Sequence, residues 1–69
     1  MGWERKDDIA FYADAALLQH RIGPRWLVFW GPGSRRFWAF RRGAPHPLIL
    51  SAPDTDGLYQ QIQQTDLRP

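Results

Sequence analysis

The sequence of 69 residues contains no cysteine, which excludes both disulfides and thiolate-bound metal as sources of stability. Its only histidines are His20 and His46, and neither a cofactor nor a metal is expected. Lysine is nearly missing: eight of the nine basic residues are arginine, and Lys6 stands alone. That bias reads as high-GC coding and points to a bacterial source. No apolar run approaches the roughly 20 residues that cross a bilayer. The charged stretch Met1–Asp8 does not lead into the apolar segment of a signal peptide. A cytoplasmic protein without membrane association is expected. Internal repeats and low-complexity tracts are missing too, so residues 1–69 read as one domain, with 1–7 and 66–69 frayed.

So short a chain buries only about 60% of the surface its unfolded form exposes. The core must therefore be dense. Four Trp, four Phe and two Tyr supply large buried area per residue, and a partner subunit is the other source open to it.

The net charge of +2 conceals a division along the chain. Residues 1–20 set Arg5 and Lys6 against Glu4, Asp7, Asp8 and Asp14, for −2. Residues 21–42 hold Arg21, Arg25, Arg35, Arg36, Arg41 and Arg42 without one acid, for +6. The remainder, with Asp54, Asp56 and Asp66 against Arg68, returns to −2.

From Asp7 to Ile22 the pattern is helical. Ile9, Ala13, Ala16, Leu17 and His20 share one face, and Phe11, Ala15, Leu18 and Ile22 a neighbouring one. This predicts a helix over about residues 8–21, with Asp7 and Asp8 favouring its N-terminal end and His20, Arg21, Gly23 and Pro24 its stop. Residues 25–30, Arg-Trp-Leu-Val-Phe-Trp, then have the β-branched and aromatic character of a strand.

Gly31-Pro32-Gly33-Ser34 suits a type II turn, with Pro32 and Gly33 at its tip. The run Arg35–Arg41 follows at once, so a hairpin is predicted in which Trp30 faces Arg35, Val28 faces Phe37 and Trp26 faces Ala39. On the other face Phe29 meets Arg36, Leu27 meets Trp38 and Arg25 meets Phe40. Leu48–Ser51 is a third short strand. Asp54 then reads as the N-cap, and Asp56 as the first-turn acid, of a last helix that buries Leu58, Tyr59 and Ile62 and reaches about Thr65. The fold class is α+β: a three-stranded antiparallel sheet with an N-terminal and a C-terminal helix, in the order α-β-β-β-α.

Several patterns suggest chemistry, and simpler readings account for most of them. A nucleophile such as Ser34 or Ser51 needs a base and an orienting acid beside it, and nothing in the spacing brings His20 or His46 there. No enzymatic activity and no small-molecule substrate are expected. Asp54-Thr55-Asp56-Gly57 resembles the start of a calcium loop, but Leu58 takes the next ligand position and no glutamate closes the loop. The cap reading is preferred. Gly31–Arg36 joins two strands and opens no helix, so it is a turn and not a phosphate cradle.

The hairpin is left. Trp26, Val28, Trp30, Phe37 and Ala39 form one apolar face, which suits the core. Leu27, Phe29, Trp38 and Phe40 form another, which stays uncovered if both helices pack on one side. Rimmed by Arg25, Arg36 and Arg42, that second face has the make-up of a binding surface. The expected function is therefore a small interaction module, self-associating as a homodimer or docking a protein partner. Nucleic-acid binding is the alternative, with arginines on phosphates and bases stacked on the aromatics.

The order α-β-β-β-α is also that of the double-stranded RNA-binding domain. That family grips phosphates with a basic cluster at the start of its last helix, where this chain has Asp54, Thr55, Asp56 and Gly57. The family is rejected on those residues. Residues 16–62 instead resemble short actinobacterial proteins. The likeness lies in Gly23 to Trp26, the pair Trp30-Gly31, the strand Arg36-Phe37-Trp38-Ala39 and the helix start Ser51-Ala52-Pro53-Asp54. It implies the fold and no activity.

Overall fold

The computed structural model describes residues 5–43 and 45–67. Helix α1 (Arg5–Ile22) leads through Gly23 into strands β1 (Trp26–Gly31), β2 (Arg36–Arg41) and β3 (Ile49–Ala52), and helix α2 (Thr55–Leu67) follows. The strands form one antiparallel sheet in the order β1-β2-β3. The expected α+β order is thus the observed one. Both helices run further than the sequence indicated. Residues 5–7 and 66–67, read as frayed, belong to α1 and α2, while 1–4, 44, 68 and 69 lie outside the described residues.

Helix α1 ends as its glycine requires. Gly23 adopts φ +91° and donates its N–H to the Gln19 carbonyl over 2.9 Å, a left-handed cap that an L-residue enters only with strain. Helix α2 begins as expected, because Asp54 Oδ1 accepts the Gly57 N–H at 2.7 Å, the bond that defines an N-cap.

The hairpin register differs from expectation by two residues. Trp30 pairs with Phe37, Val28 with Ala39, Trp26 with Arg41, Phe29 with Trp38 and Leu27 with Phe40. A four-residue loop, Pro32–Arg35, replaces the two-residue type II turn. Gly33 does not take the positive φ that such a turn needs; Arg35 does, at 60°, and its N–H closes the loop onto the Gly31 carbonyl at 2.7 Å. Since side chains alternate with a period of two, a slip of two leaves every residue on its expected face.

Both helices pack on one side of the sheet. Trp26, Val28, Trp30, Phe37 and Ala39 form a continuous buried cluster with Ala15 and Leu18 of α1 and Leu58 and Ile62 of α2. Phe11 packs against Trp30, with ring centroids 4.4 Å apart, and meets Phe37 edge-on. Each such side chain, once fully buried, contributes about 1.5–3 kcal/mol.

Of the two stripes on α1, the sheet takes Phe11, Ala15, Leu18 and Ile22. The other is turned to solvent, with Ile9 66% and Leu17 69% exposed. Polar anchors explain the choice. Asp8, in the first turn of α1, is buried and accepts the Trp30 indole N–H at 3.1 Å, so it ties the helix start to the sheet. Gln19 lies on the same side. Its Nε2 donates to the carbonyls of Gly23 and Trp26, and its Oε1 accepts the Val28 N–H at 2.7 Å.

Candidate functional site

The open side of the sheet is a grid set by the strand register. Leu27, Phe40 and Ile49 align across the three strands; Phe29, Trp38 and Ser51 form the next row; Gly31 and Arg36 follow. Leu27 is 42% and Ile49 49% exposed, and Phe29 and Phe40 are also exposed. All four predicted apolar residues, Leu27, Phe29, Trp38 and Phe40, therefore lie together on the face that the helices leave bare. Sequence reasoning missed Ile49, because a four-residue strand is too short to show its alternation; its burial pattern became readable only once paired with β2.

The rings of this face are held in place. Phe29 and Phe40 stack, with centroids 5.6 Å apart and planes 14° from parallel. The Trp38 indole lies across Gly31, where an added Cβ would come within 2.9 Å of Nε1. It donates to Ser34 Oγ at 2.9 Å, and Ser34 in turn donates to the Gly31 carbonyl. A Cβ at Gly31 would come within 2.7 Å of Ser34 Oγ as well, so the position is kept small by the approach of both side chains and not by its φ.

The six central arginines divide into two sets. Arg35 pairs with Asp8 at 2.9 Å and lies over the rings of Trp30 and Phe11. Arg41 pairs with Asp66 at 3.0 Å and lies over Trp26, whose indole N–H is donated to the same carboxylate. Arg21 lies 4.1 Å above the Tyr59 ring. Those three serve the helix side. Arg25, Arg36 and Arg42, the three named for the rim, form the other set.

Arg25 and Arg42 are exposed and sit opposite one another, since the Arg42 N–H is donated to the Arg25 carbonyl. By strand alternation both continue the open face. Arg36 is half-buried, its Nε donated to Ser51 Oγ.

Both sheet edges carry a glutamine clasp. The backbone groups that β1 turns away from β2 include the Trp26 carbonyl and the Val28 N–H, and Gln19 binds both. On the opposite edge Gln61 of α2 donates to the outward Ser51 carbonyl at 2.8 Å. Side-chain amides thus occupy positions that an added strand would use.

The serines considered as nucleophiles have other partners: Ser34 meets Trp38 and Gly31, and Ser51 meets Arg36. His20 and His46 are exposed. Among the described residues no histidine bonds to either hydroxyl, and no group of three His, Cys, Asp or Glu is placed to hold a metal. Two open hollows between α1 and α2, of about 140 and 280 Å³, fall below the usual ~300–1,000 Å³ of ligand pockets. No described helix is long and apolar enough to cross a membrane. In comparisons with known proteins, no protein family, curated protein or solved structure matches the chain.

Proposed function

We propose that this chain is a non-enzymatic docking module, acting in the cytoplasm, whose working surface is the open sheet face. The observation that carries the reading is the placement of Leu27, Phe29, Trp38, Phe40 and Ile49 on the side away from both helices. Apolar area of this kind contributes little to folding while it is wet, and an exposed patch rimmed by polar residues is characteristic of interaction surfaces. An apolar centre with an arginine rim is the anatomy of a protein interface. The partner is another protein or a second copy of the chain.

Nucleic acid is the second reading, favoured by Arg25, Arg36 and Arg42 around exposed aromatics. Against it, the aliphatic Leu27 and Ile49 offer no stacking plane, and Phe29 and Phe40 stack on each other. Arg35 and Arg41 are committed to carboxylates. Sedimentation velocity over a range of concentrations, with and without a single-stranded oligonucleotide, separates the readings. Protein docking predicts no oligonucleotide complex at physiological salt. A complex whose affinity falls steeply with salt would replace docking by phosphate binding.

A further inference from the structure

Among the described residues the open face carries three arginines and no acid. Arg25 and Arg42 are directly opposed across the hairpin end, and like charges so placed are destabilising. Neither has a carboxylate partner among the described residues. Folding does not call for that pair, whereas an anionic group set between the two guanidinium heads would be held by both. Arg36 stands at the other end of the apolar grid. From Arg36, the first residue of β2, to Arg42, just past its end, is six steps along the chain, about 20 Å of strand and the length of about 13 residues of helix.

Three kinds of occupant are conceivable on geometric grounds. An added strand is opposed by the Gln19 and Gln61 clasps on the sheet edges. A second copy would bring another three arginines and no acid to the same interface, leaving six like charges to be partly dehydrated. An amphipathic helix with carboxylates at its two ends meets neither obstacle. It would cover the sheet as α1 and α2 cover the other side.

From this charge complementarity we infer that the open face takes an acid-flanked amphipathic helix of a partner protein. Its apolar stripe rests on Leu27, Phe29, Trp38, Phe40 and Ile49, and its end carboxylates lie at the Arg25/Arg42 pair and at Arg36. The inference rests on the docking reading above.

The test titrates the full, nitrogen-15-labelled chain with two synthetic helices of about 16 residues. They share one leucine stripe and differ in carrying glutamate or lysine at both ends. The expected result is movement of the Leu27, Phe29, Trp38, Phe40 and Ile49 resonances by the glutamate peptide, with the lysine peptide roughly tenfold weaker or worse. The double variant Arg25→Glu/Arg42→Glu, its fold checked by circular dichroism, should reverse that preference.

Equal binding of both peptides on this face would overturn the acid-flanked partner and leave docking standing. So would concentration-dependent dimerisation through the face without a peptide effect. Shifts produced by a single-stranded oligonucleotide alone would replace both with nucleic-acid binding. A monomer that responds to no probe, or responds only on the α1–α2 side, would overturn both.

Discussion

The indole N–H of Trp30 is donated to Oδ1 of Asp8, 3.1 Å away and 22 residues earlier in the chain. Asp8 is only 5% exposed, and the same oxygen accepts from Arg35. A carboxylate thus joins the start of α1 to the hairpin. Asp8→Ala leaves a buried donor unpaired and should cost about 2 kcal/mol. Asp8→Asn, which keeps an acceptor, should cost about 1 kcal/mol, because the Arg35 side chain is 40% exposed and water screens its ion pair. Urea unfolding of the two variants, compared with the parent, measures both.

Arg35 bears the strain of the turn, holding φ at 60° while its side chain reaches Asp8 and lies over Trp30. Replacement by alanine removes the contacts and keeps the strain; replacement by glycine removes both. Arg35→Gly should therefore be more stable than Arg35→Ala by about 1 kcal/mol. The opposite order would mean that the left-handed conformation is not held in solution.

Gln19 makes three hydrogen bonds to the backbone around β1. Gln19→Ala should cost about 1–2 kcal/mol and, more specifically, release the Val28 amide to solvent. Hydrogen exchange reads this directly. Val28 should lose protection more than Phe29, whose backbone is directed toward β2.

On α1, Leu17→Ser should change stability by no more than about 0.5 kcal/mol, whereas Leu18→Ala should cost about 2–4 kcal/mol. The two residues are adjacent in sequence and equally apolar. Their thermal unfolding midpoints separate the stripe that packs from the one that does not.

That contrast also marks where the sequence was legible. The grouping of the hairpin residues into two faces was readable because residues two apart on a strand share a face, and an error of two in register does not change a face. Which face the helices cover was not, because Trp26–Trp30 is apolar on both sides. The Asp54 cap was readable because the side-chain chemistry is local. The α1 orientation was not, since apolar residues line two sides of the helix. What decides between them is where Asp8 and Gln19 find their partners, in Trp30 and along the edge of β1. Hydrophobic periodicity contains no record of such long-range polar bonds. The partners of the arginines were hidden for the same reason: Arg35 and Arg36 are neighbours in sequence, yet one meets Asp8 and the other Ser51.

The central claim is that the face around Trp38 serves docking and not folding. Trp38 is half-buried and bonds within the turn to Ser34, so it is the most demanding residue on which to test the claim. The measurement is the urea unfolding of Trp38→Ala, paired with a titration of the same variant by the glutamate-ended helix. The expected result is a cooperative transition within about 1–2 kcal/mol of the parent, together with loss of the peptide response. A variant that fails to fold would place Trp38 in the structural core, and a folded variant that still binds the peptide would remove the open face from the docking site.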